Sequence, residues 1–198
     1  MTSKIFSISN NRAVRHLLGS LTSIVFDSNG NGRPDLLAQE WLPDSGYKSK
    51  KIFLYQQKRG GKSLKNNNAL RGFKAITPTV KAGDINGDGI NDLIIYDLGF
   101  KIGKDQAYTG IKPTIYYGRR NKKPTKSNIL SKAYSTYAPS DSWQVDGRVS
   151  AKDFALADID NDGDLDIWVE STGGMNLTNH FLINNGSHFT VDKERIPM

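Results

Sequence analysis

Three short loops rich in aspartate, asparagine and glycine recur along the 198-residue chain and align without gaps. They begin at Asp27, Asp84 and Asp158, and each has the form Asx-x-Asx-x-Asx-Gly-x-x-Asp. We call them the first, second and third loops and number their positions from 1 to 9. A repeat of this kind constrains the fold strongly, because each unit is one small supersecondary element that buries its apolar face only by stacking on its neighbour.

The residues around each loop predict a small antiparallel sheet. An apolar stretch precedes each loop, a run rich in β-branched residues follows it, and a further aromatic-rich strand ends at a turn with Gly or Asn. This order predicts strand, loop, strand, turn, strand, turn and strand in every repeat. We place the repeats at residues 20–76, 77–145 and 149–195 of a single domain, 1–198. The second repeat is the longest, and we expect a loop insertion at residues 127–145.

The composition of the loops indicates calcium. Calcium takes six to eight oxygen ligands, and side chains at positions 1, 3 and 5 of a tight loop direct their oxygens to one centre. Gly at position 6 permits the sharp turn, position 7 offers a backbone carbonyl, and position 9 offers another carboxylate. The candidate ligands are Asp27, Asn29, Asn31, Arg33 and Asp35 in the first loop, Asp84, Asn86, Asp88, Ile90 and Asp92 in the second, and Asp158, Asp160, Asp162, Asp164 and Asp166 in the third.

An EF-hand is excluded by the residues at position 12 and by the flanks. The EF-hand needs Glu at position 12 and a helix on each side. Position 12 is Ala38, Ile95 or Val169, and the flanks are typical of strands. Asx-rich turns that hold no metal are the remaining alternative. Three such loops in register with matching flanks favour metal binding.

The three loops differ in charge, and this difference predicts an order of affinity. Two carboxylates stand among the candidate side-chain ligands of the first loop, three in the second and four in the third. Because ligand charge helps to set calcium affinity, we expect up to three ions per chain, with the third loop binding most tightly. The first loop should bind weakly or stay empty.

The loops and the strands after them resemble the FG-GAP and VCBS repeats, which form β-propeller blades in integrin α-subunits and many adhesion-type proteins. The resemblance rests on residues 83–93 (GDINGDGINDL), 157–167 (ADIDNDGDLDI) and 181–189 (FLINNGSHF). It implies an all-β fold of about three propeller-like blades, each a four-stranded antiparallel sheet with calcium in the loop joining its first two strands. Propellers have four to eight blades, so we expect a partial ring, or a ring completed by oligomerisation.

The sequence gives no sign of catalysis or of a membrane span. The chain has no cysteine, which excludes disulfides, thiolate catalysis and zinc–thiolate sites. It shows no nucleophile elbow, no phosphate-binding glycine loop and no pair of histidines at zinc spacing. We therefore predict that the protein is not an enzyme. We also find no signal peptide and no stretch apolar enough to cross a bilayer.

Positive charge is concentrated in two parts of the chain. The net charge is +7, and residues 45–83 and 106–140 contain many Lys and Arg but no Asp or Glu. Such runs suit an anionic partner, or they are solvated loops. Nucleic acid is disfavoured, since no nucleic-acid-binding fold is recognisable.

The remaining candidates for recognition are aromatic side chains and histidines. The aromatics expected in loops can stack on sugars, anchor a protein interface or cap the core; they are Trp41, Tyr47, Tyr134, Tyr137 and Trp143. We expect His16, His180 and His188 to be ordinary turn or surface residues.

Together these features predict a non-enzymatic calcium-binding module for protein or glycan recognition or for assembly, with a protein partner or homo-oligomer. The alternatives are a structural subunit of a viral particle, such as a decoration or tail protein, and a calcium-dependent lectin.

Overall fold

The computed structural model describes residues 22–39, 50–58, 60, 63–66, 70, 74–75, 78–97, 112–137, 149, 151–171 and 179–192. Over these residues the chain forms three antiparallel sheets and one short helix. The predominance of strands agrees with the predicted all-β fold class. No helix among these residues has the length and apolarity needed to cross a membrane.

Each sheet is a meander whose strands follow the order of the chain. The first sheet contains β1 (Ser23–Phe26), β2 (Asp35–Gln39), β3 (Lys50–Gln57) and β4 (Ser63–Asn66), and β5 (Lys74–Ala75) pairs with the start of β3. The second contains β6 (Pro78–Gly83), β7 (Asp92–Asp97), β8 (Thr114–Tyr117) and β9 (Thr125–Ser127). The third contains β10 (Ala151–Ala157), β11 (Asp166–Ser171), β12 (His180–Asn184) and β13 (Phe189–Asp192). In every sheet an aspartate-rich loop joins the first strand to the second.

The sheets stack through two apolar cores, and the second sheet contributes to both. Leu93 and Ile95 of β7 pack with the first sheet, whereas Ile94 and Tyr96 pack with the third. This division follows from the two-residue period of a strand, which sends successive side chains to opposite faces. β7 is therefore apolar throughout residues 93–96, as expected of a strand buried on both faces.

The first strands of neighbouring sheets contact each other. Thr22, just before β1, donates a hydrogen bond through its hydroxyl to the carbonyl of Pro78 in β6. Between β6 and β10, the Thr79 hydroxyl donates to the Lys152 carbonyl at 3.1 Å. Lys81 Nζ also lies 3.2 Å from Asp153 Oδ1. β6 thus lies between β1 and β10, and the three sheets are joined in chain order.

The expected loop insertion at residues 127–145 is wrong over residues 129–137, which form helix α1 (Ile129–Tyr137). The Ile129 amide donates to Ser127 Oγ at 3.3 Å, which supplies one acceptor at the amino end of the helix. Leu130, Ala133 and Tyr134 share one helical face and are buried in the core between the second and third sheets. This part of the insertion therefore adds core volume, and residues 138–145 lie outside the described residues.

Two further expectations from the sequence need correction. His180 is fully buried, so its assignment to a turn or surface is wrong. Its Nε2 lies 2.8 Å from the hydroxyl of Tyr134, which in turn lies 3.2 Å from the hydroxyl of Tyr96. Tyr134 and Tyr137 belong to α1 instead of a loop, whereas His188 is exposed as expected. His16, Trp41, Tyr47 and Trp143 lie outside the described residues.

The three loops share one backbone conformation, with positive φ at positions 4 and 6. The φ angles are 63° at Gly30, 68° at Gly87 and 60° at Asn161 for position 4, and 76° at Gly32, 80° at Gly89 and 95° at Gly163 for position 6. Glycine adopts this region without penalty, and asparagine is one of the few other residues that tolerate it. The position-4 residue of the third loop is therefore compatible with the same turn.

Replacing Gly89 with alanine should destabilise the protein by about 1–2 kcal/mol, the usual penalty for a left-handed residue with a Cβ. Apart from Gly89 and its two neighbours in the chain, no residue has an atom within 4 Å of where that Cβ would stand, so the effect comes from the backbone conformation. Denaturant unfolding in chelator measures it. The matched control is Asn91→Ala, at an exposed position of the same loop without positive φ. Equal effects of the two substitutions would contradict the prediction.

Candidate metal sites

The carboxylate at position 1 organises each loop by accepting hydrogen bonds from the backbone amides of positions 5 and 6. The pairs are Asp27 with Asn31 (3.2 Å) and Gly32 (2.6 Å), Asp84 with Asp88 (3.0 Å) and Gly89 (2.7 Å), and Asp158 with Asp162 (3.2 Å) and Gly163 (3.1 Å). Each carboxylate oxygen can accept more than one hydrogen bond or cation contact, so these bonds leave capacity for a metal.

The side chain at position 5 fixes the second half of each loop. It accepts a hydrogen bond from the amide of position 7, and the pairs are Asn31 with Arg33 (2.8 Å), Asp88 with Ile90 (2.9 Å) and Asp162 with Asp164 (2.9 Å). Side chains that bond to a backbone amide two residues ahead are typical of Asx turns. The three position-7 residues chosen as carbonyl ligands are therefore held by equivalent bonds.

The aspartate at position 9 is fully buried in all three loops and connects the loop to the third strand of its sheet. One carboxylate oxygen accepts from the amide of position 2, and the other accepts from an amide at the end of the third strand. The partners are Ser28 (3.1 Å) and Gln57 (2.7 Å) for Asp35, Ile85 (3.0 Å) and Gly118 (2.7 Å) for Asp92, and Ile159 (2.8 Å) and Asn184 (2.7 Å) for Asp166.

These two hydrogen bonds from the backbone give position 9 a structural role that was not predicted from the sequence. Ligand spacing identified position 9 only as a source of oxygen. Its partners are backbone amides, which carry no residue-specific signal. The one indication in the sequence is an aspartate directly before an apolar strand, because an aspartate at such a position is expected to be buried and a buried charge must be hydrogen-bonded.

Burial makes two of the position-9 carboxylates, those of Asp35 and Asp92, reluctant to ionise. It raises the pKa of Asp92 to about 6, and the nearby carboxylates of Asp88 and Asp84 add to the increase. The amides of Gly118 and Ile85 oppose it by stabilising the charged form. Burial also raises the pKa of Asp35. A cation in these loops would stabilise the ionised carboxylates, because an opposite charge nearby favours the charged form.

The third loop brings three carboxylates together. Asp158, Asp160 and Asp166 each place an oxygen within 4.8 Å of the others, the one such acidic group in the part of the chain that the structure describes. Oxygens on opposite sides of a calcium ion at 2.3–2.6 Å are about 5 Å apart, so this spacing fits an ion between them. The Asp162 carboxylate does not join the group.

The first loop contains a buried acceptor without a donor. Asn29, at position 3, is 7% exposed, and its Oδ1 has no hydrogen-bond partner. An unsatisfied buried acceptor destabilises a protein by about 1–3 kcal/mol. A cation held by the first loop would supply the missing partner, so these residues also fit a metal despite their lower charge.

Neighbouring sheets cover the first and second loops. The Asn121 amide, in the turn after β8, donates to the Asn29 carbonyl at 3.1 Å. Asn184 Nδ2, at the end of β12, donates to the Ile85 carbonyl at 3.0 Å. In the third loop Asp158, Asp160 and Asp162 are exposed. The loops therefore form a series from the most covered to the least covered.

No protein-family model matches the chain, and no curated protein matches it. The resemblance to FG-GAP and VCBS repeats thus depends on the loop residues and the strands around them, and membership of that family stays a prediction.

Proposed function

We propose that the chain is a non-enzymatic calcium-binding module made of β-propeller-type blades, which serves recognition or assembly. The observation that carries the proposal is the shared frame of the three loops. Each has the same positive-φ positions and the same amide bonds to positions 1, 5 and 9. One frame built three times, with oxygen donors at every ligand position, supports a repeated site for a hard cation.

The donor set favours calcium over other common metals. The candidate ligands are carboxylate, amide and carbonyl oxygens, without the nitrogen or sulfur donors that zinc and copper prefer. Magnesium demands near-ideal octahedral geometry and keeps several waters, whereas calcium accepts a flexible cage of protein oxygens. The loops therefore suit calcium best, and their role would be to stabilise the ends of the blades.

The outward face of the third sheet supports a protein partner or a second copy of the chain. Trp168 and Phe181 are opposite each other on β11 and β12, with ring centroids 4.4 Å apart. They are on the face opposite Ile167 and Leu182, which pack in the core between the second and third sheets. Both residues are partly buried and keep some accessible surface. Aromatic pairs of this kind are typical anchors of protein interfaces.

Native mass spectrometry in calcium and after chelation tests the proposal. We expect two or three calcium ions per chain, with the last ion to leave held by the third loop. The double substitution D158N/D160N should remove one ion and leave the fold intact. The matched control is Asp153→Asn, which neutralises an exposed carboxylate of the same sheet outside the loop.

Two results would overturn the calcium assignment. One is a chain that binds no calcium in the native state, and the other is a D158N/D160N variant that binds as many ions as the control. The same spectra report oligomeric state. A monomer at all accessible concentrations would reject self-assembly and leave a different protein partner as the occupant of the aromatic face.

A further inference from the structure

A dense group of cations occupies the hairpin formed by β8 and β9. We call residues 118–127 the basic hairpin. Its five cationic side chains are exposed, and they are Arg119, Arg120, Lys122, Lys123 and Lys126. None of the five forms an ion pair with a described carboxylate, and the two ion pairs found between described residues lie elsewhere. Their charge is therefore not neutralised by the surrounding described residues.

The backbone of the basic hairpin is fixed from both sides. Within the turn, the Lys122 amide donates to the Arg119 carbonyl at 3.0 Å, and Asn121 has a φ of 53°. The Gly118 amide donates to Asp92 Oδ1 at 2.7 Å, and the Asn121 amide bonds to the first loop. Gly118 is needed here, because a Cβ would approach the Asn91 carbonyl oxygen to 2.5 Å. A ligand would thus meet cations on a rigid support, and less conformational entropy would be lost on binding.

We propose that the basic hairpin binds a sulfated polysaccharide. Clusters of Lys and Arg within eight residues are typical of surfaces that bind heparin-like chains or nucleic acids. Sulfate groups need only closely spaced cations, and the hairpin has five cations within the eight residues 119–126. This inference goes beyond the proposed calcium function and does not require it.

The surroundings of the hairpin favour a polysaccharide over a nucleic acid. Single strands are bound by stacking bases on exposed aromatic rings, but Tyr116 is buried and Tyr117 is half-buried. A duplex is wide and carries one negative charge per about 1.7 Å of its axis. It would bring phosphates close to the first and second loops, which the hairpin contacts and which carry Asp27, Asp84 and Asp88. A single sulfated chain can follow the hairpin and avoid these carboxylates.

Binding of a heparin oligosaccharide, measured by isothermal titration calorimetry at several salt concentrations, tests the proposal. The test variant is R120Q/K123Q, which keeps Arg119 and its bond to Thr125. The matched control is K112Q/K152Q. It removes the same formal charge from two exposed residues away from the loops, Lys112 just before β8 and Lys152 near the start of β10, where Lys152 pairs with Glu170. We expect about a tenfold loss of affinity and a weaker salt dependence in the test variant only, since fewer counterions are released.

The experiment is run in calcium and in chelator, with the native circular dichroism spectrum confirmed for both variants. We expect R120Q/K123Q to weaken heparin binding in both conditions. The test of the basic hairpin therefore does not depend on whether the loops bind calcium. If the test and control variants lost the same heparin affinity, the attraction would depend on net charge alone and the proposal would be overturned. The absence of heparin binding would also overturn it, as would tighter binding of a DNA duplex in the same buffer.

Discussion

Replacing Asp35 with alanine should destabilise the protein by about 3–5 kcal/mol, even with calcium removed. The Asp35 side chain is fully buried and accepts hydrogen bonds from the amides of Ser28 and Gln57 and from the Ser28 hydroxyl. Alanine would leave these three donors without an acceptor. Each buried donor left unsatisfied destabilises the folded state by about 1–3 kcal/mol, and water in the vacated space recovers part of this. The first loop would also lose its connection to β3.

Urea unfolding in chelator measures the effect, and two further variants make it specific. Asp35→Asn keeps one acceptor oxygen and should fall between wild type and Asp35→Ala. Asp153→Ala removes an exposed aspartate that pairs with Lys81 and should change stability by less than about 1 kcal/mol, as for other surface ion pairs. If Asp35→Ala were no more destabilising than Asp153→Ala, position 9 would have no role in connecting the loop to the third strand.

Much of this fold follows from local pattern. The loops define where the first strand ends and the second begins, because Asx side chains and left-handed glycines satisfy the backbone there without a helix or sheet. The run Leu93–Tyr96 is apolar at every position, and it is buried on both faces as such a run predicts. The site residues chosen from spacing also lie in three equivalent loops, as the frame of amide bonds shows.

What could not be predicted depends on contacts between distant parts of the chain. Helix α1 has two serines and a threonine among its nine residues, so its intrinsic helix propensity is modest. Its formation depends on burying Leu130 and Tyr134 between two sheets, which is a tertiary effect. The burial of His180 has the same origin, because its partner Tyr134 belongs to that helix.

Calcium should raise the melting temperature at pH 7.5 by roughly 8–16 °C. A ligand at a thousand times its dissociation constant stabilises the native state by about 4 kcal/mol, and each kcal/mol shifts the melting temperature of a chain of this size by about 2–4 °C. The loops supply the physical reason. In the third loop the clustered carboxylates repel each other, and a bound cation would remove this repulsion. In the first loop a cation would supply the missing partner of Asn29 Oδ1.

The pH dependence of this effect should identify Asp92 as part of the site. Its pKa in the folded state, about 6, lies above the ordinary value of 3.8, so the folded protein binds the proton more tightly than the unfolded chain does. In chelator, the stability contributed by the protonated carboxyl is complete below pH 3.8 and is lost as the pH rises to about 6. This loss is about 3 kcal/mol. Calcium requires the ionised form, so its stabilising effect should grow over the same range.

Differential scanning calorimetry between pH 4 and pH 8, with calcium and with chelator, separates these contributions. Other carboxyl groups titrate in the same range, so the informative quantity is the difference between wild type and Asp92→Asn. An asparagine cannot ionise, and in chelator the variant should gain stability relative to wild type as the pH rises from 4 to 6. In calcium it should lose stability relative to wild type above pH 6, because it lacks a charged ligand.

A difference that does not change with pH in chelator would show that the buried carboxyl of Asp92 does not titrate near pH 6. A calcium effect equal in both proteins would remove Asp92 from the ligands.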